Sequence, residues 1–488
     1  MQAPIAAETR VAERGLRPPL VVDLDGTLVR TDLLHETFAA AFFRHPLLTL
    51  WVVFRALLKG RAELKQALSG LTQVEVETLP WRVPLVTYLQ EQKRQGRELH
   101  LATASDQSVA RAVAAYVGLF DRVYASDGQR NLKGRRKAEL LAAEFPAGFC
   151  YAGDSRADLA VWRVAAGAVV TAGRPLADQA RGITELERHF QDERPGLKAW
   201  FAAARPHQWT KNLLILVPTV LGWAQATPAG LVATLWALTL MCLMSSLTYV
   251  VNDIADVQAD RRHARKHRRP FAAGTLKLRD GLIAAALGIP AVLAAAWFLA
   301  SPATAACLLA YGVVTLAYSF GLKRAPLLDC VLIGVLFTFR IATGVVAGGL
   351  GWSPWLMTFS LTLFFSLAMA KRLTELVAGG PGASGVVRGR GFRYEDRNLV
   401  LAFGVASSTL SILIVVLYLV DEVFPADTYR DPTALWAVPP LLFLWIGRIW
   451  LLANRGEMHH DPVIFALRDR VSYLLGALVG AAFLTAVL

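Results

Sequence analysis

The feature that most constrains this chain is a series of long apolar runs that begins near Trp209. Each run is close to the ~20 residues that an α-helix needs to cross a bilayer. Backbone polar groups cannot stay unpaired in lipid, so runs of this length predict membrane-spanning helices. The candidate spans number nine, and they begin near Asn212, Leu231, Gly281, Thr304, Leu327, Trp355, Leu399, Thr433 and Val471.

The composition supports a membrane protein. The 488 residues are 55% hydrophobic and 18% charged, and this charged fraction is below the ~25% of globular chains. A net charge of +13 suits either nucleic acid or an anionic membrane surface. The basic residues lie in short loops between apolar runs, which favours the membrane and predicts no nucleic-acid partner. The four cysteines form no C-x-x-C pair, so neither a disulfide framework nor a zinc site is expected.

The loops between the predicted spans alternate in charge, and this alternation predicts the topology. The basic loops contain Arg261–Arg269, Lys323–Arg324, Lys371–Arg397 and Arg455–Arg470. On the opposite side, Asp421–Asp431 is acidic with a single arginine, Arg430. Basic loops stay in the cytoplasm, and the charged N-terminal tail, residues 1–17, lacks the apolar core of a signal peptide. We therefore expect a cytoplasmic (inner) membrane protein with its N-terminal domain and active sites in the cytoplasm and its C-terminus outside.

The chain ahead of these spans has a different pattern. Over about 200 residues, short apolar runs alternate with amphipathic stretches, which indicates a parallel α/β sheet. The predicted strands are Leu20–Leu24, Glu98–Ala102, Arg122–Ala125, Phe149–Ala152 and Gly167–Val170. Between the first two strands, about residues 32–97 are helical in pattern and fit a cap. A linker at 191–208, broken by Pro195-Gly196 and Pro206, leads to the membrane domain at 209–488.

One apolar stretch inside the cap needs separate interpretation. Pro46–Leu58 is strongly apolar, but at ~13 residues it is too short to span a bilayer. We expect a buried helix of the cap subdomain. The alternative is a helix that lies on the membrane surface or on the membrane domain.

Polar residues follow several of the predicted strands. Asp23 and Asp25 come after the first strand, and carboxylates at i and i+2 point the same way. One can attack phosphorus while the other moves a proton, and Gly26 permits the tight turn. Three more elements follow in order: Thr103 at a strand end, Lys137 at a helix start, and Asp154 with Asp158 after another strand. Their carboxylates are ligands that suit Mg²⁺.

This ordered set resembles the haloacid dehalogenase-like hydrolases over residues 18–190. The resemblance implies an α/β Rossmann-like domain with a helical cap and active phosphatase chemistry, because no element is missing. It makes Asp23 the nucleophile that becomes an aspartyl-phosphate and Asp25 the general acid/base. Thr103 and Lys137 would hold the phosphoryl group. Asp23, a backbone oxygen of Asp25, and Asp154 would bind Mg²⁺, with Asp158 supporting the metal site.

A second acidic cluster stands at the end of the second predicted span. Asn252, Asp253, Asp256 and Asp260 are spaced 1, 3 and 4 apart, so a helix would place them along one face. Carboxylates this close repel one another unless a cation bridges them. Acidic residues near membrane depth are costly and usually functional, and one or two Mg²⁺ ions carrying a diphosphate fit the cluster. The basic run that follows contributes to topology and can clamp phosphate oxygens.

The pattern N-D-x-x-D-x-x-x-D, followed by R-P-x-x-x-G, resembles the UbiA prenyltransferase superfamily over about residues 200–488. In that family the acidic motif binds Mg²⁺ and the diphosphate of a donor, and about nine spans agree with it. Aromatic prenyltransferases carry a second motif, D-x-x-x-D, whereas Tyr318–Lys323 stands here with only Asp329 following. Together with Pro206–Asn212, this departure looks more like the decaprenyl-phosphate phosphoribosyltransferase branch.

That resemblance implies Mg²⁺-dependent transfer of phosphoribosyl from phosphoribosyl pyrophosphate to a polyprenyl phosphate. The N-terminal phosphatase would then remove the phosphate group from the 5-position of the ribose, which yields a cell wall precursor lipid. By the resemblance, the catalytic pair is Asp253 and Asp256, the metal site adds Asn252 and Asp260, and the phosphate contacts are Lys211, Lys266, Arg269 and Lys323. Lys371-Arg372 is a further candidate at a span end.

Two alternatives stay open at this stage. The first is a prenyltransferase that moves a prenyl group from a prenyl diphosphate to an aromatic or other acceptor, beside an independent phosphatase. The second is a transporter or lipid-binding membrane protein whose soluble domain is regulatory.

Overall fold

The computed structural model describes residues 17–488 except 60, 73, 128–131, 192–195, 381–383, 387–390, 426–428, 459–461 and 467. The predicted N-terminal tail up to residue 16, the linker residue Pro195 and parts of the basic loops after Lys371 and Arg455 lie outside the described residues. The chain divides into two compact units. The first comprises Met1–Ala203 and Asp253–Ile283, and the second comprises Ala204–Asn252 and Ala284–Leu488.

A six-stranded sheet forms the centre of the first unit. All its pairs are parallel, in the order β3-β2-β1-β4-β5-β6. The strands are β1 (Leu20–Val22), β2 (Leu99–Asp106), β3 (Arg122–Ser126), β4 (Cys150–Gly153), β5 (Gly167–Val170) and β6 (Glu185–His189). The predicted parallel α/β sheet is therefore confirmed. The sequence did not predict β6, because this edge strand has no buried residue and carries mostly charged residues.

Helices cover both faces of this sheet. Side chains alternate across β1, so Val22 packs with Leu85 and Leu89 on one face, whereas Val21 packs with Trp162 on the other. The helices up to the end of this region are α1 (Leu33–Arg44), α2 (Pro46–Lys59), α3 (Arg61–Leu71), α4 (Val83–Arg94), α5 (Gln107–Val117), α6 (Arg135–Glu144), α7 (Leu159–Trp162), α8 (Arg174–Arg181) and α9 (Leu197–Ala204).

The predicted cap segment is helical. It contains α1, α2 and α3, followed by α4, which packs in the core of the sheet. Asp32 caps α1 by accepting a hydrogen bond from the Leu34 amide. The prediction that α2 is buried holds for one side only: Thr49 and Ala56 are buried, whereas Leu47 is 82% exposed.

Eight helices in the described part of the chain are long and apolar enough to cross a membrane. With the short helices between them, the remaining elements are α10 (Val217–Leu221), α11 (Pro228–Ala255), α12 (Val257–Arg262), α13 (Leu278–Leu299), α14 (Pro302–Phe320), α15 (Leu328–Gly348), α16 (Pro354–Val377), α17 (Arg397–Tyr418), α18 (Val438–Arg455), α19 (Pro462–Ala466) and α20 (Arg470–Val487). The candidate spans are all of these except α10, α12 and α19.

The prediction of about nine spans is thus close, and the difference lies at the first one. The segment near Asn212 forms a 3-10 helix, Pro206–Leu216, followed by the short α10. Pro218 lies in the first turn of α10, and Gly222 follows its last residue after only five helical residues. The 3-10 segment packs tightly against α15, because a Cβ added to Gly344 would lie 2.0 Å from the Ile215 carbonyl oxygen. This contact fixes Asn212 beside the middle of α15.

Candidate active sites

The carboxyl ends of β1 and β4, neighbours in the sheet, bring three predicted carboxylates together. Oxygens of Asp23, Asp154 and Asp158 lie within 4.8 Å of one another. The Lys137 ammonium lies 2.9 Å from Asp23 Oδ1 and donates a hydrogen bond of 2.8 Å to the Tyr151 hydroxyl. The predicted nucleophile therefore has a fixed cationic neighbour and two carboxylates beside it.

The turn after β1 explains why glycine is required there. Gly26 has a φ of +75°, and a Cβ at this position would lie 2.2 Å from Asp154 Oδ2. The Arg82 guanidinium donates hydrogen bonds to the carbonyls of Gly26 (2.8 Å) and Thr27 (3.0 Å). The turn is thus held from the α4 side and leaves room for Asp154.

The carboxylate of Asp25 accepts hydrogen bonds from a separate set of donors. Its Oδ1 accepts a hydrogen bond of 2.8 Å from the Leu33 amide at the start of α1. Its Oδ2 accepts one of 2.6 Å from Ser105 and a longer one of 3.4 Å from Thr103. A proton-transfer role for Asp25 agrees with this position at the junction of sheet and cap.

Two residues of this site escaped the sequence analysis. Ser105 lies two positions after Thr103 on β2 and so faces the same side of the strand, which is the signal that could have found it. Lys65 comes from α3 and donates a hydrogen bond to the Ala104 carbonyl. Burial lowers the pKa of Lys65, although the neighbouring Asp25 and Asp32 carboxylates act in the opposite direction. No local pattern could have placed Lys65 there, because it reaches the site across the fold.

The electrostatics of the carboxylate cluster favour a bound cation. Burial raises the pKa of Asp23 to about 6, against the attraction of Lys137. Burial, and then the negative charges of Asp158 and Asp23, raise the pKa of Asp154 to about 8. Buried carboxylates that destabilise one another in this way are hard oxygen donors of the kind that Mg²⁺ prefers. The residues present therefore fit the predicted magnesium site.

The four residues of the second predicted motif do not lie on one continuous helix. The helix expected to carry all four residues is interrupted, since α11 ends at Ala255 and Asp256 is the non-helical residue before α12. Asp253 and Asp260 are both buried. Arg269 Nη1 bridges them, at 3.2 Å from Asp253 Oδ1 and 2.6 Å from Asp260 Oδ2. Lys266 Nζ lies 4.0 Å from Asp260 Oδ1, so two predicted phosphate contacts adjoin two predicted metal ligands.

The segment with this motif packs into the same unit as the phosphatase site. Arg261 donates hydrogen bonds of 2.6 and 3.1 Å to the two carboxylate oxygens of Glu36, and one of 3.0 Å to the Ala272 carbonyl. Glu36 is in α1, one turn after the Leu33 amide that binds Asp25. A Cβ on Gly274, which has a φ of +70°, would lie 2.8 Å from Arg30 Cβ. The acidic motif is thus held by residues of the α/β domain.

A cavity of ≈ 240 Å³ lies in the second unit. Five predicted residues line it, namely Lys211, Asn252, Tyr318, Lys371 and Arg372. Lys323, the remaining predicted phosphate contact, is half-buried and is not one of its described lining residues. The sequence missed six polar lining residues: Arg205, Thr248, Tyr249, Tyr311, Thr315 and Arg340.

Arg340 is the most informative of the residues missed. It is 5% exposed, and its Nε donates a hydrogen bond of 2.8 Å to Asn212 Oδ1 while its Nη2 donates one of 3.1 Å to the Tyr311 hydroxyl. The guanidinium carbon lies 5.3 Å from the centre of the Phe337 ring. A lone arginine within the apolar run of α15 is the signal that could have identified it, because charges inside spans are rarely retained without a role.

A buried ion pair supports the same wall of the cavity. Arg372 Nε lies 2.7 Å from Asp329 Oδ2, and both side chains are almost fully buried. The Tyr318 hydroxyl donates a hydrogen bond of 2.8 Å to Asp329 Oδ1. Three candidates noted in the sequence are therefore in one network, which holds Arg372 and Tyr318 in place at the cavity.

Comparisons with known proteins match both parts of the chain. A model of the UbiA prenyltransferase family matches residues 215–468, and one of the haloacid dehalogenase-like hydrolases matches residues 20–163. The uncharacterized protein y4nM of Sinorhizobium fredii is 40% identical over 96% of this chain and 91% of that protein.

Two further relatives match the membrane part. The nodulation protein NoeC of Azorhizobium caulinodans is 30% identical over 58% of this chain and 92% of its own length. The decaprenyl-phosphate phosphoribosyltransferase of Mycobacterium tuberculosis is 31% identical over 57% of this chain and 92% of its own length.

Proposed function

The chain belongs to the UbiA prenyltransferase family and carries a haloacid dehalogenase-like domain, and from this we propose a bifunctional membrane enzyme. Its membrane domain transfers phosphoribosyl from phosphoribosyl pyrophosphate to a polyprenyl phosphate. Its N-terminal domain removes the 5-phosphate from the product. The Mycobacterium tuberculosis relative supports the first activity, because it is a decaprenyl-phosphate phosphoribosyltransferase that matches this chain over nearly all of its length.

The observation that carries the proposal is the polar lining of the cavity. Arg205, Lys211, Arg340, Lys371 and Arg372 line it together with three tyrosines. A phosphoribosyl donor and a lipid phosphate acceptor both present phosphate oxygens and, in the donor, ribose hydroxyls. Arginine and lysine suit these groups, the former through paired donors and the latter as a point charge.

The transfer step follows from the acidic motif. An oxygen of the lipid phosphate attacks the anomeric carbon of the ribose, and the bond from that carbon to pyrophosphate breaks. Asn252, Asp253, Asp256 and Asp260 would hold Mg²⁺, on which both families generally depend. Lys266 and Arg269, both in the same loop, stabilise the charge on the departing pyrophosphate. Lys211 and Lys323 remain proposed phosphate contacts.

The hydrolytic step uses the α/β domain. A carboxylate oxygen of Asp23 attacks the phosphorus of the ribose 5-phosphate, while Asp25 gives a proton to the leaving hydroxyl group. Water then cleaves the aspartyl-phosphate, and Asp25 takes back a proton from that water. Thr103 and Lys137 hold the phosphoryl oxygens. Asp23, Asp25 and Asp154 would bind Mg²⁺, which neutralises phosphate charge, and Asp158 would support that metal site.

We further propose that both sites face the cytoplasm and that residues 206–221 cross the membrane in addition to the eight spans, which puts the C-terminus on the opposite side. The support is the charge of the loops, since Arg261–Arg269 and Arg455–Arg470 are basic whereas Asp421–Asp431 is acidic.

A second candidate is transfer of a prenyl group from a prenyl diphosphate. The observation that favours it is the apolar part of the cavity lining, which includes Ile333, Leu336, Phe364 and Leu367. A prenyl chain would fit these side chains as well as the lipid tail of an acceptor would.

A product analysis tests the proposal. The purified enzyme in liposomes is incubated with Mg²⁺, phosphoribosyl pyrophosphate and a polyprenyl phosphate, and the lipids are analysed by mass spectrometry. We expect polyprenyl-phosphoryl-ribose from the unmutated enzyme, its 5-phosphate from Asp23→Asn, and neither from Asp253→Asn. If Asp23→Asn gives the same lipid as the unmutated enzyme, the phosphatase does not act on this product. A prenylated acceptor formed only from a prenyl diphosphate would support the second candidate.

A further inference from the structure

The helix α2 exposes a continuous apolar face. Leu47 is 82% exposed, Phe54 67% and Leu58 78%, and Leu50 and Trp51 are each more than half exposed. Their spacing of three or four residues places them on one side of the helix. We call these five residues the α2 face. Thr49 and Ala56 on the other side are buried against the rest of the cap.

The charges around the α2 face have one sign. From Arg44 to Arg61 the sequence contains four lysines and arginines and neither aspartate nor glutamate. The guanidinium of Arg55 stacks over the Trp51 ring at 4.7 Å from its centre. Basic residues beside tryptophan, phenylalanine and leucine are the composition of helices that lie in a membrane interface. An anionic lipid surface complements both the apolar side chains and the positive charges.

The first unit also contains the ends of two candidate membrane spans. Asp253 to Ala255 end α11, and Leu278 to Ile283 begin α13, and all of these residues belong to the unit that contains α2. The connection to the cap is direct, because Arg261, between those two spans, forms the ion pair with Glu36 in α1. The helix α1 precedes α2 by one residue, His45. A bilayer boundary therefore adjoins the part of the chain to which α2 belongs.

We propose that the α2 face docks on the bilayer that contains the chain's own spans, in the headgroup region of anionic phospholipid. There its apolar side chains leave water, and Arg44 and Arg55 meet lipid phosphates. The helix packs beside α1 and α3, which contribute the Leu33 amide and Lys65 to the surroundings of Asp25. Docking holds the mouth of the phosphatase site at the lipid surface. This consequence rests on the proposed lipid-linked substrate, whereas the docking itself does not.

Depth-dependent quenching tests the docking on the full-length protein. A fluorescent amino acid is encoded at Leu47, Phe54 or Leu58, and the protein is placed in nanodiscs with phosphatidylglycerol and lipids that carry a doxyl quencher near the headgroup. Matched control positions are Glu139 in α6 and Asp178 in α8, whose side chains are 63% and 65% exposed. We expect quenching of about two-fold or more on the α2 face and none at the controls. Equal signals at the α2 face and at the controls would overturn the proposal.

A second copy of the chain is the competing occupant. In nanodiscs that hold two molecules, each carrying a donor or an acceptor at Phe54, energy transfer without doxyl quenching would show self-association and refute lipid docking. We expect quenching without energy transfer.

A functional measurement separates the docking from the proposed substrate. In Phe54→Asp with Leu58→Asp, we expect hydrolysis of a phosphorylated polyprenyl lipid in vesicles to fall about ten-fold, with p-nitrophenyl phosphate hydrolysis unchanged. The control is Val83→Asp, at an apolar position that is 66% exposed on α4. Quenching without any hydrolysis of the lipid by the unmutated enzyme would refute the lipid substrate and leave the docking intact. Equal loss with both substrates would refute the role of docking in lipid hydrolysis.

Discussion

The two candidate phosphate sites of this protein have opposite electrostatics. In the α/β domain, the carboxylates of Asp23, Asp154 and Asp158 cluster, so phosphate can approach only with a metal ion and Lys137. In the membrane domain, the cavity is lined by lysines and arginines from several helices, which can contact phosphate directly. The two proposed phosphate sites therefore differ in how they would bind the same group: one through carboxylates that recruit a cation, the other through cations supplied by the chain.

The acidic motif between α11 and α13 combines both ways. Asp253 and Asp260 are bridged by Arg269, and Lys266 lies beside them. This segment packs with the α/β domain through the buried pair of Arg261 and Glu36. In this chain, the position of the acidic motif therefore depends on contacts that the α/β domain supplies.

The largest expected effect comes from removing the nucleophile of one site only. Asp23→Asn should lower phosphatase kcat by about 10³- to 10⁴-fold, because the covalent step loses its attacking carboxylate. It should leave formation of the phosphorylated lipid unchanged. Hydrolysis of p-nitrophenyl phosphate and lipid mass spectrometry measure the two activities. A parallel loss of lipid product would show that the two sites are not chemically separate.

Breaking the pair between Glu36 and Arg261 tests how the acidic motif is held. The pair is buried, with 0% and 5% of the side chains exposed. Glu36→Gln leaves a buried arginine without its counter-charge, and we expect a loss of about 3–5 kcal/mol in the stability of the first unit. This loss of stability is measured by denaturant unfolding in detergent, with a fluorescent label on the α/β domain as the reporter.

The same loop supplies the control for this change. Arg262 and Glu75 also form an ion pair, but their side chains are 60% and 39% exposed. Glu75→Gln should therefore cost about 0–1 kcal/mol. If both variants lose equal stability, burial of the Glu36 pair is not what anchors the motif.

The third change is in the membrane cavity. Arg340→Met removes the hydrogen bonds to Asn212, Tyr311 and the Leu336 carbonyl, and the loss of these partners costs about 1–3 kcal/mol. If the whole of this free energy is lost from the binding of the donor during transfer, the transferase kcat/KM falls about 10- to 100-fold. Initial rates of lipid transfer in liposomes measure the effect, and Arg455→Met, at an exposed position at the end of α18, is the control. Loss of p-nitrophenyl phosphate hydrolysis in Arg340→Met would indicate general misfolding.

The sequence predicted most of the fold because its signals are local. Five of the six strands follow from apolar runs that end in polar residues, and eight spans follow from run length. The first of the nine candidates, near Asn212, has another form, because it consists of the 3-10 helix Pro206–Leu216 and the short α10. The edge strand β6 was missed because residues such as Glu185 and Glu187 mask a strand that pairs along only one edge.

In the sites, too, the sequence predicted residues that have local signals and missed those that depend on long-range contacts. Asp23, Lys137, Asp154 and Asp158 follow elements in chain order, so the sequence placed them together correctly. Lys65 and Ser105 beside Asp25 were not predicted. The ion pair of Glu36 with Arg261 joins residues 225 positions apart, and no period or spacing reports a contact at that range.

The smallest effect is one of pH and concerns the edge strand that the sequence missed. Glu187 in β6 accepts hydrogen bonds of 2.6 and 3.0 Å from Arg97 and one of 2.6 Å from Tyr88. Burial opposes ionisation of Glu187, but the bonds from Arg97 and Tyr88 lower its pKa below the ordinary 4.5. The stabilisation is therefore complete above pH 4.5 and is lost as pH falls through the lowered folded-state pKa.

Glu187→Gln should remove this pH dependence. In detergent at pH 7, we expect the Tm of the variant to be lower than that of the unmutated protein. Between pH 5 and 3, the Tm of the variant should change less than that of the unmutated protein. Glu91→Gln, in an ion pair whose side chains are 50% and 72% exposed, is the control and should follow the unmutated curve. An unchanged acid slope in Glu187→Gln would mean that the attachment of β6 to α4 and the start of β2 does not depend on the charge of Glu187. The carboxylates of the phosphatase site cannot supply that acid slope, because the raised pKa values of Asp23 and Asp154 favour the folded state as pH falls.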